Sequence, residues 1–258
     1  MISVATIHNA EDFAGMRKAG QLAAETLDMI AEYVKPGVTT ESLDKRCFEF
    51  ADKNNACIAP LFYKGFPKSV CTSINHVICH GIPSSRVLEE GDIVNIDVTV
   101  IVDGWHGDTS RMYKVGKINN KAQKLIDCTY EAMMLGINEI APNKKTGDIG
   151  NAIQTYSEAR SYSVVQDFCG HGLGRVFHSF PNILHYGTSN TGEDLIQGMF
   201  FTVEPMINTG KYDVRLLKDG WTAVTKDKSL SAQFEHTCGV TESGFEIFTK
   251  SPAGLDKP

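Results

Sequence analysis

Five residues spread over this 258-residue chain have side chains suited to holding divalent cations: Asp97, Asp108, His171, Glu204 and Glu235. Asp97 lies inside Ile93-Val94-Asn95-Ile96-Asp97-Val98-Thr99-Val100-Ile101-Val102, an apolar run with strand character. Asp is depleted in strands, and an uncompensated carboxylate in a core strand is costly. Asp103-Gly104 follows, a two-residue hairpin signal flanked by apolar residues. With a two-residue loop, Val102 faces Trp105 and Asp97 faces Ser110. Asp108 then projects from the same face as Asp97, with their Cα atoms roughly 7–8 Å apart. A three-residue loop would put the two acids on opposite faces. A lone acid in a strand usually pairs with an arginine or caps a turn. Two on one face of one hairpin, with Glu204 and Glu235 in further strand-like runs, make a shared cation as good an account as arginine pairing.

His171 sits in Cys169-Gly170-His171-Gly172-Leu173-Gly174, where flanking glycines allow a tight turn and an accessible imidazole. His178 follows seven residues later. The other histidines read mostly as structural, although His80, in His80-Gly81-Ile82, echoes His171-Gly172-Leu173. An oxygen-rich set with one nitrogen suits manganese, iron, cobalt, nickel or zinc without singling one out. Four carboxylates bring about four negative charges, which two divalent ions would neutralise. Such a pair lowers the pKa of a shared water and polarises a carbonyl, which is the chemistry of amide hydrolysis. No H-E-x-x-H is present, which argues against the common single-zinc protease arrangement.

These residues need a scaffold. A helix is predicted from about Ala10 to Val34, capped by Asn9, with Phe13, Met16, Gly20, Ala23, Leu27, Ile30 and Val34 on one face. Pro36-Gly37 ends it. A second helix should start after Thr39 or Thr40 and run to Lys53, and two more lie near 121–140 and 146–161. Strands are expected over 69–74, 93–102, 106–115, 164–168, 200–207 and 232–240. A weak internal repeat runs through this order. Gly91 precedes Asp97 by six residues, as Gly198 precedes Glu204, each at the end of an apolar run. Val34-Lys35-Pro36 is echoed by Ile140-Ala141-Pro142, each ahead of a Thr-opened helix. Together these matches point to two related halves about a pseudo-twofold axis.

Composition narrows the field. The chain is 42% hydrophobic and 22% charged, ordinary globular values, with a formal charge of -6. That balance argues against a general nucleic-acid or anionic-membrane surface. No signal-like N-terminus or membrane-length apolar run is seen. Seven cysteines, an odd number without a C-x-x-C pair, suit free thiols in a reducing cytoplasm. One α+β domain spanning 1–258 is expected, with a flexible tail from about 251.

Over nearly its whole length, to about Thr249, the chain resembles the type I methionine aminopeptidases of the pita-bread fold. The resemblance rests on 33–39, Lys68-Ser69-Val70-Cys71, 77–83, 91–100, Gly107-Asp108-Thr109-Ser110, Cys169-Gly170-His171-Gly172, Thr202-Val203-Glu204-Pro205-Met206, Lys218-Asp219-Gly220-Trp221 and 231–237. It implies a curved antiparallel sheet covered by helices, and release of N-terminal methionine from nascent proteins, preferring a small second residue. It also implies two metal ions, with Asp108 and Glu235 bridging both, His171 and Glu204 on one, and Asp97 on the other. Glu204 would take the proton of the attacking water, His178 would donate to the scissile carbonyl, and His80 would assist the leaving nitrogen. The methionine pocket would be Tyr63, Phe66, Cys71, Phe177 and Trp221, with His80 at its edge. Taken alone, those aromatics read as ordinary core. Pro60 and Phe66 depart from the pattern, replacing a frequent cysteine and a tyrosine. The N-terminal zinc-binding extension of eukaryotic relatives and the insertion of type II are both lacking, as in the minimal bacterial form. A monomer with a transient ribosome contact is implied.

Overall fold

The computed structural model describes residues 4–257. Met1–Ser3 and Pro258, at the ends of the expected domain, lie outside the described residues. Four helices carry the two halves: α1 (Ala10–Ala31), α2 (Thr40–Lys53), α3 (Asn120–Asn138) and α4 (Thr146–Glu158). Asn9 accepts from the amides of Glu11 and Asp12, while Asp12 accepts from the Asn9 amide, so α1 opens on a complete capping box. Its face of Met16, Gly20, Ala23, Leu27 and Ile30 is buried, as the spacing predicts. Gly20 is required there, because a Cβ would stand 2.5 Å from the Phe248 carbonyl oxygen.

Between the halves runs a long hairpin, Ile93–Val102 and Trp105–Lys114. Asp103 and Gly104 both have positive φ, 50° and 81°, so the loop has two residues of the kind that suits strand twist. Val102 pairs with Trp105, Asp97 with Ser110, and Thr99 with Asp108. Asp97 and Asp108 therefore share a face. Along the first strand, Val94, Ile96, Val98 and Val100 enter the core beneath α1 and α2. The alternate residues Asn95, Asp97 and Thr99 face the other way. Cys71–Ile74 pairs with this strand, Cys71 opposite Asp97.

The second half packs α3 and α4 over a separate core that includes Phe201, Val203 and Phe234. Here an antiparallel sheet runs in the order Phe245–Ile247, His236–Val240, Phe200–Val203, Gly170–Gly172, Ser179–Ile183. Reciprocal backbone hydrogen bonds between Ser110 and Glu235 bridge the two halves. The repeat is visible in the backbone. Gly91 and Gly198 have φ of 92° and 91°, and Gly37 and Asn143, after the matched prolines, have φ of 90° and 70°.

Three expected strands differ. The run 200–207 splits into Phe200–Val203 and Met206–Asn208, because Pro205 has no amide for a ladder. The run 232–240 splits at Phe234-Glu235, where the chain leaves Met206–Asn208 and joins Phe200–Val203. Of 164–168 only Val164 forms a ladder pair, in a short strand with Ser163 before it. Residues 251–257, expected as a flexible tail, have specific partners: the Ser251 hydroxyl donates to Asp28, and Lys257 lies 3.3 Å from Glu131.

Candidate metal centre and substrate cavity

The five candidate ligands come from five separate segments and line one cavity of about 320 Å³. Asp97 and Asp108 reach it from the hairpin, Glu204 and Glu235 from the two strand breaks, and His171 from Gly170–Gly172. The breaks matter, since each lets an acid leave the pleat and turn inward. Asp108, His171 and Glu235 each offer an atom within 4.8 Å of the others. His171 Nε2 lies 3.5 Å from Asp108 and 3.6 Å from Glu204.

The glycines beside His171 act differently from the sequence reading. They do not expose the imidazole, for His171 is buried within a strand. Their missing side chains admit close neighbours: a Cβ on Gly170 would stand 2.2 Å from the Thr202 oxygen, and one on Gly172 2.4 Å from the Phe180 oxygen. His171 Nδ1 faces the Gly172 carbonyl at 3.2 Å. A carbonyl can only accept, so the proton sits on Nδ1 and the Nε2 lone pair faces the acids, as a ligand requires.

Electrostatics set this cluster apart. Asp108, Glu204 and Glu235 are buried, and Asp97 is enclosed by protein apart from the cavity it faces. Burial pushes the Asp97 carboxyl up to about 7. Asp108 is raised well above the usual range by burial and then by Asp97. Glu235 is raised by burial, then by Asp108, Glu204 and Asp97. For Glu204, burial outweighs the hydrogen bond from Thr202, and Asp108 and Asp97 add to the rise. Among the described residues, no lysine or arginine forms an ion pair with any of the four. Clustered acids without a basic partner fit divalent cations and little else.

Supporting donors hold the carboxylates in place. Thr99 donates to Asp108 and Thr202 to Glu204, each at 2.7 Å. Gln233 donates to the other Glu204 oxygen at 3.3 Å, and the Glu204 amide donates to His185 Nε2 at 3.0 Å. The sequence reading passed over these residues. The threonines had a signal, since Thr99 and Thr202 each stand two positions from an acid, Thr99 on the same strand face as Asp97. His185 and Gln233 had none.

The rest of the cavity wall is largely aromatic: Tyr63, Phe66, Phe168, Phe177 and Trp221, with Cys71, His80 and His178 among them. Tyr63, Phe177 and Trp221 are partly exposed to the cavity, so they are wall and not ordinary core. Phe66 packs edge-on against Trp221 at 5.2 Å, and Tyr63 packs tilted against Phe177 at 4.8 Å. The Asp44 carboxylate accepts from the amides of Ser69 and Val70, anchoring the loop between Phe66 and Cys71. Phe168, Cys169, Met206 and Lys64 also line the cavity, and sequence reasoning had missed them. Of the structural histidines, His106 donates to the Gly174 carbonyl and His236 meets Thr249, both outside the cavity lining.

A pseudo-twofold α+β scaffold that gathers buried acids and one histidine between its halves defines a metallohydrolase of the pita-bread type. The model of Metallopeptidase family M24 matches residues 14–242. The chain is 64% identical to the methionine aminopeptidase of Rickettsia prowazekii over 253 residues, 98% of each protein. It is 52% identical to the methionine aminopeptidase of Escherichia coli K12, covering 95% of this chain and 93% of that protein. The R. prowazekii crystal structure superposes with a TM-score of 0.95, covering 95% of this chain and 100% of that one. The methionine aminopeptidase of Thermotoga maritima, 36% identical, gives 0.93, covering 95% and 99%. The chain belongs to metallopeptidase family M24, among its methionine aminopeptidases. The prolidase of Pyrococcus furiosus, at 21% identity and a TM-score of 0.76 over 95% of this chain and 65% of that one, shares the fold.

Proposed function

We propose that this chain removes the N-terminal methionine of nascent proteins by dinuclear, metal-dependent hydrolysis, preferring a small second residue. The observation that carries the reading is the cluster of four enclosed acids that, among the described residues, pair with no lysine or arginine, beside an aromatic cavity. Asp97, Asp108, His171, Glu204 and Glu235 would together hold two divalent ions. When bound, two divalent ions (cobalt, manganese, iron, nickel or zinc) supply charge neutralisation, Lewis-acid polarisation and a more acidic water.

The chain's own groups do the rest. The methionine side chain enters among Tyr63, Phe66, Cys71, Phe177 and Trp221, where aromatic rings and a thiol suit a flexible thioether. Glu204 takes a proton from the attacking water as the new carbon–oxygen bond forms. His178 donates a hydrogen bond to the carbonyl oxygen as charge builds there. The carbon–nitrogen bond then breaks, His80 contacts the departing nitrogen, and the proton passes to the released amine. No helix among the described residues is long and apolar enough to cross a membrane. A monomer acting in the cytoplasm, with a transient ribosome encounter, follows from the substrate class and the family likeness.

Methionine release from Met-Ala-Ser, set beside Met-Leu-Ser and Xaa-Pro dipeptides, tests the reading. Rapid release from Met-Ala-Ser alone is expected, lost on chelation and restored by manganese or cobalt. Release of proline-adjacent residues only, or turnover indifferent to thorough chelation, would overturn it.

A further inference from the structure

The Tyr63 hydroxyl lies 3.0 Å from His178 Nδ1, and among the described residues it has no other hydrogen-bond partner. Tyr63 is well placed to hold this contact. Its amide donates to the Pro60 carbonyl, and the adjoining Phe62 amide donates to the Phe66 carbonyl, closing the loop on both sides. The His178 ring is gripped by Tyr63, Phe177 and His171, with centroids at 5.2, 4.1 and 4.2 Å. Among the cavity-lining residues Tyr63 is the only phenol, its aromatic neighbours Phe66, Phe168 and Phe177 having no hydroxyl.

The other histidines near the cavity show the contrast. His106 and His171 each present Nδ1 to a backbone carbonyl, at 3.0 and 3.2 Å. A carbonyl cannot donate, so those rings carry the proton on Nδ1 and a lone pair on Nε2. A ring in that form could not donate from Nε2. At His178 the partner is a hydroxyl, which can donate. A phenol is a better donor than acceptor, and an imidazole lone pair is the better acceptor of the two.

We propose that Tyr63, beyond forming the methionine pocket, is a positioning residue whose hydroxyl donates to His178 Nδ1 and so keeps the proton on Nε2, facing the cavity. The proposal rests on the reading above that His178 donates to the scissile carbonyl. Tyr63 thereby couples the pocket to the chemistry through one hydrogen bond, and Phe66, in the same loop but without a hydroxyl, has no such role.

Nitrogen-15 NMR of histidine-labelled, zinc-loaded protein reads the tautomer directly, with His178→Gln assigning the signals by their loss. In the parent protein Nε2 of His178 should show the protonated, pyrrole-like shift and Nδ1 the bare, pyridine-like one. Tyr63→Phe keeps the ring and should collapse that difference toward a mixture. Its kcat on Met-Ala-Ser should fall about five- to tenfold, the scale of one hydrogen bond, with KM within about twofold. A parent protein with the proton on Nδ1 would overturn the proposal even if Tyr63→Phe failed to fold. So would a Tyr63→Phe variant with unchanged shifts, or one altered in KM alone. If His178→Ala kept full turnover while the parent tautomer was as expected, the proposed role of His178 would fail and the tautomer assignment would stand.

Discussion

Chelated protein should lose stability as the pH rises, the reverse of ordinary acid denaturation. Asp97 faces the cavity with no basic partner among the described residues, and burial lifts its carboxyl from 3.8 to about 7. A carboxyl whose folded pKa exceeds its unfolded value holds its proton more tightly in the folded state. That stabilisation is complete below the unfolded value and is lost as the pH rises through about 7. The gap, about 7 less 3.8, is roughly 3 pH units, on the order of 4 kcal/mol at about 1.4 kcal/mol each. An unfolding entropy of about 2.1 cal/mol/K per residue gives roughly 0.5 kcal/mol/K for the chain, so the penalty lowers Tm by about 8 °C. Asp108, Glu204 and Glu235 are raised in the same direction and deepen the fall. Scanning calorimetry of chelated protein between pH 5 and 8 covers about two of those three units and should record about 5 °C of the fall. Asp97→Asn keeps the shape without the ionisation and should flatten the fall, while manganese should restore Tm most at the alkaline end. A chelated Tm that is level or rising over this range, or an Asp97→Asn slope equal to the parent's, would refute the reasoning.

Glu204→Gln should leave the circular dichroism unchanged and cut kcat by at least about 10²-fold, and a near-normal rate would remove it as the base. His178→Ala should cost about 10²–10³ in kcat, read on the same peptide. Arg111, paired at 2.8 Å with Asp28 in a buried setting, ties the central hairpin to α1. Arg111→Met should therefore cost about 3–5 kcal/mol in urea unfolding, because Asp28 is left without its cation. Gly107→Ala would set a Cβ 2.3 Å from the Ala19 carbonyl oxygen, with backbone on both sides, and should cost about 1–3 kcal/mol or more by the same assay.

Local chemistry made much of this site legible before any coordinates. Asp103-Gly104 favoured a two-residue loop over a three-residue one, and from the loop observed, with both residues at positive φ, the pairing of Asp97 with Ser110 follows by counting. The face of α1 follows as directly from its spacing. The matched glycines before Asp97 and Glu204 carried the two-half architecture, because that turn needs φ near 90°. Long-range geometry was less accessible. Pro205 marks the break at Glu204 locally, but the apolar pattern runs unbroken through Glu235, so that break is decided by pairing with distant segments. The close packing around Gly170 and Gly172 likewise depends on Thr202 and Phe180, and sequence context suggested only freedom to turn. The hydroxyl of Tyr63 meets His178 across 115 positions, which no local pattern encodes.

Manganese titration of anaerobically purified protein, followed by electron paramagnetic resonance, tests the central claim most directly. Two ions bound per chain with an exchange-coupled signal, reduced to weak or single occupancy in Asp108→Asn, is the predicted result. Manganese left free in solution at millimolar protein would contradict it, for the acids would then share the interior with nothing to hold them together.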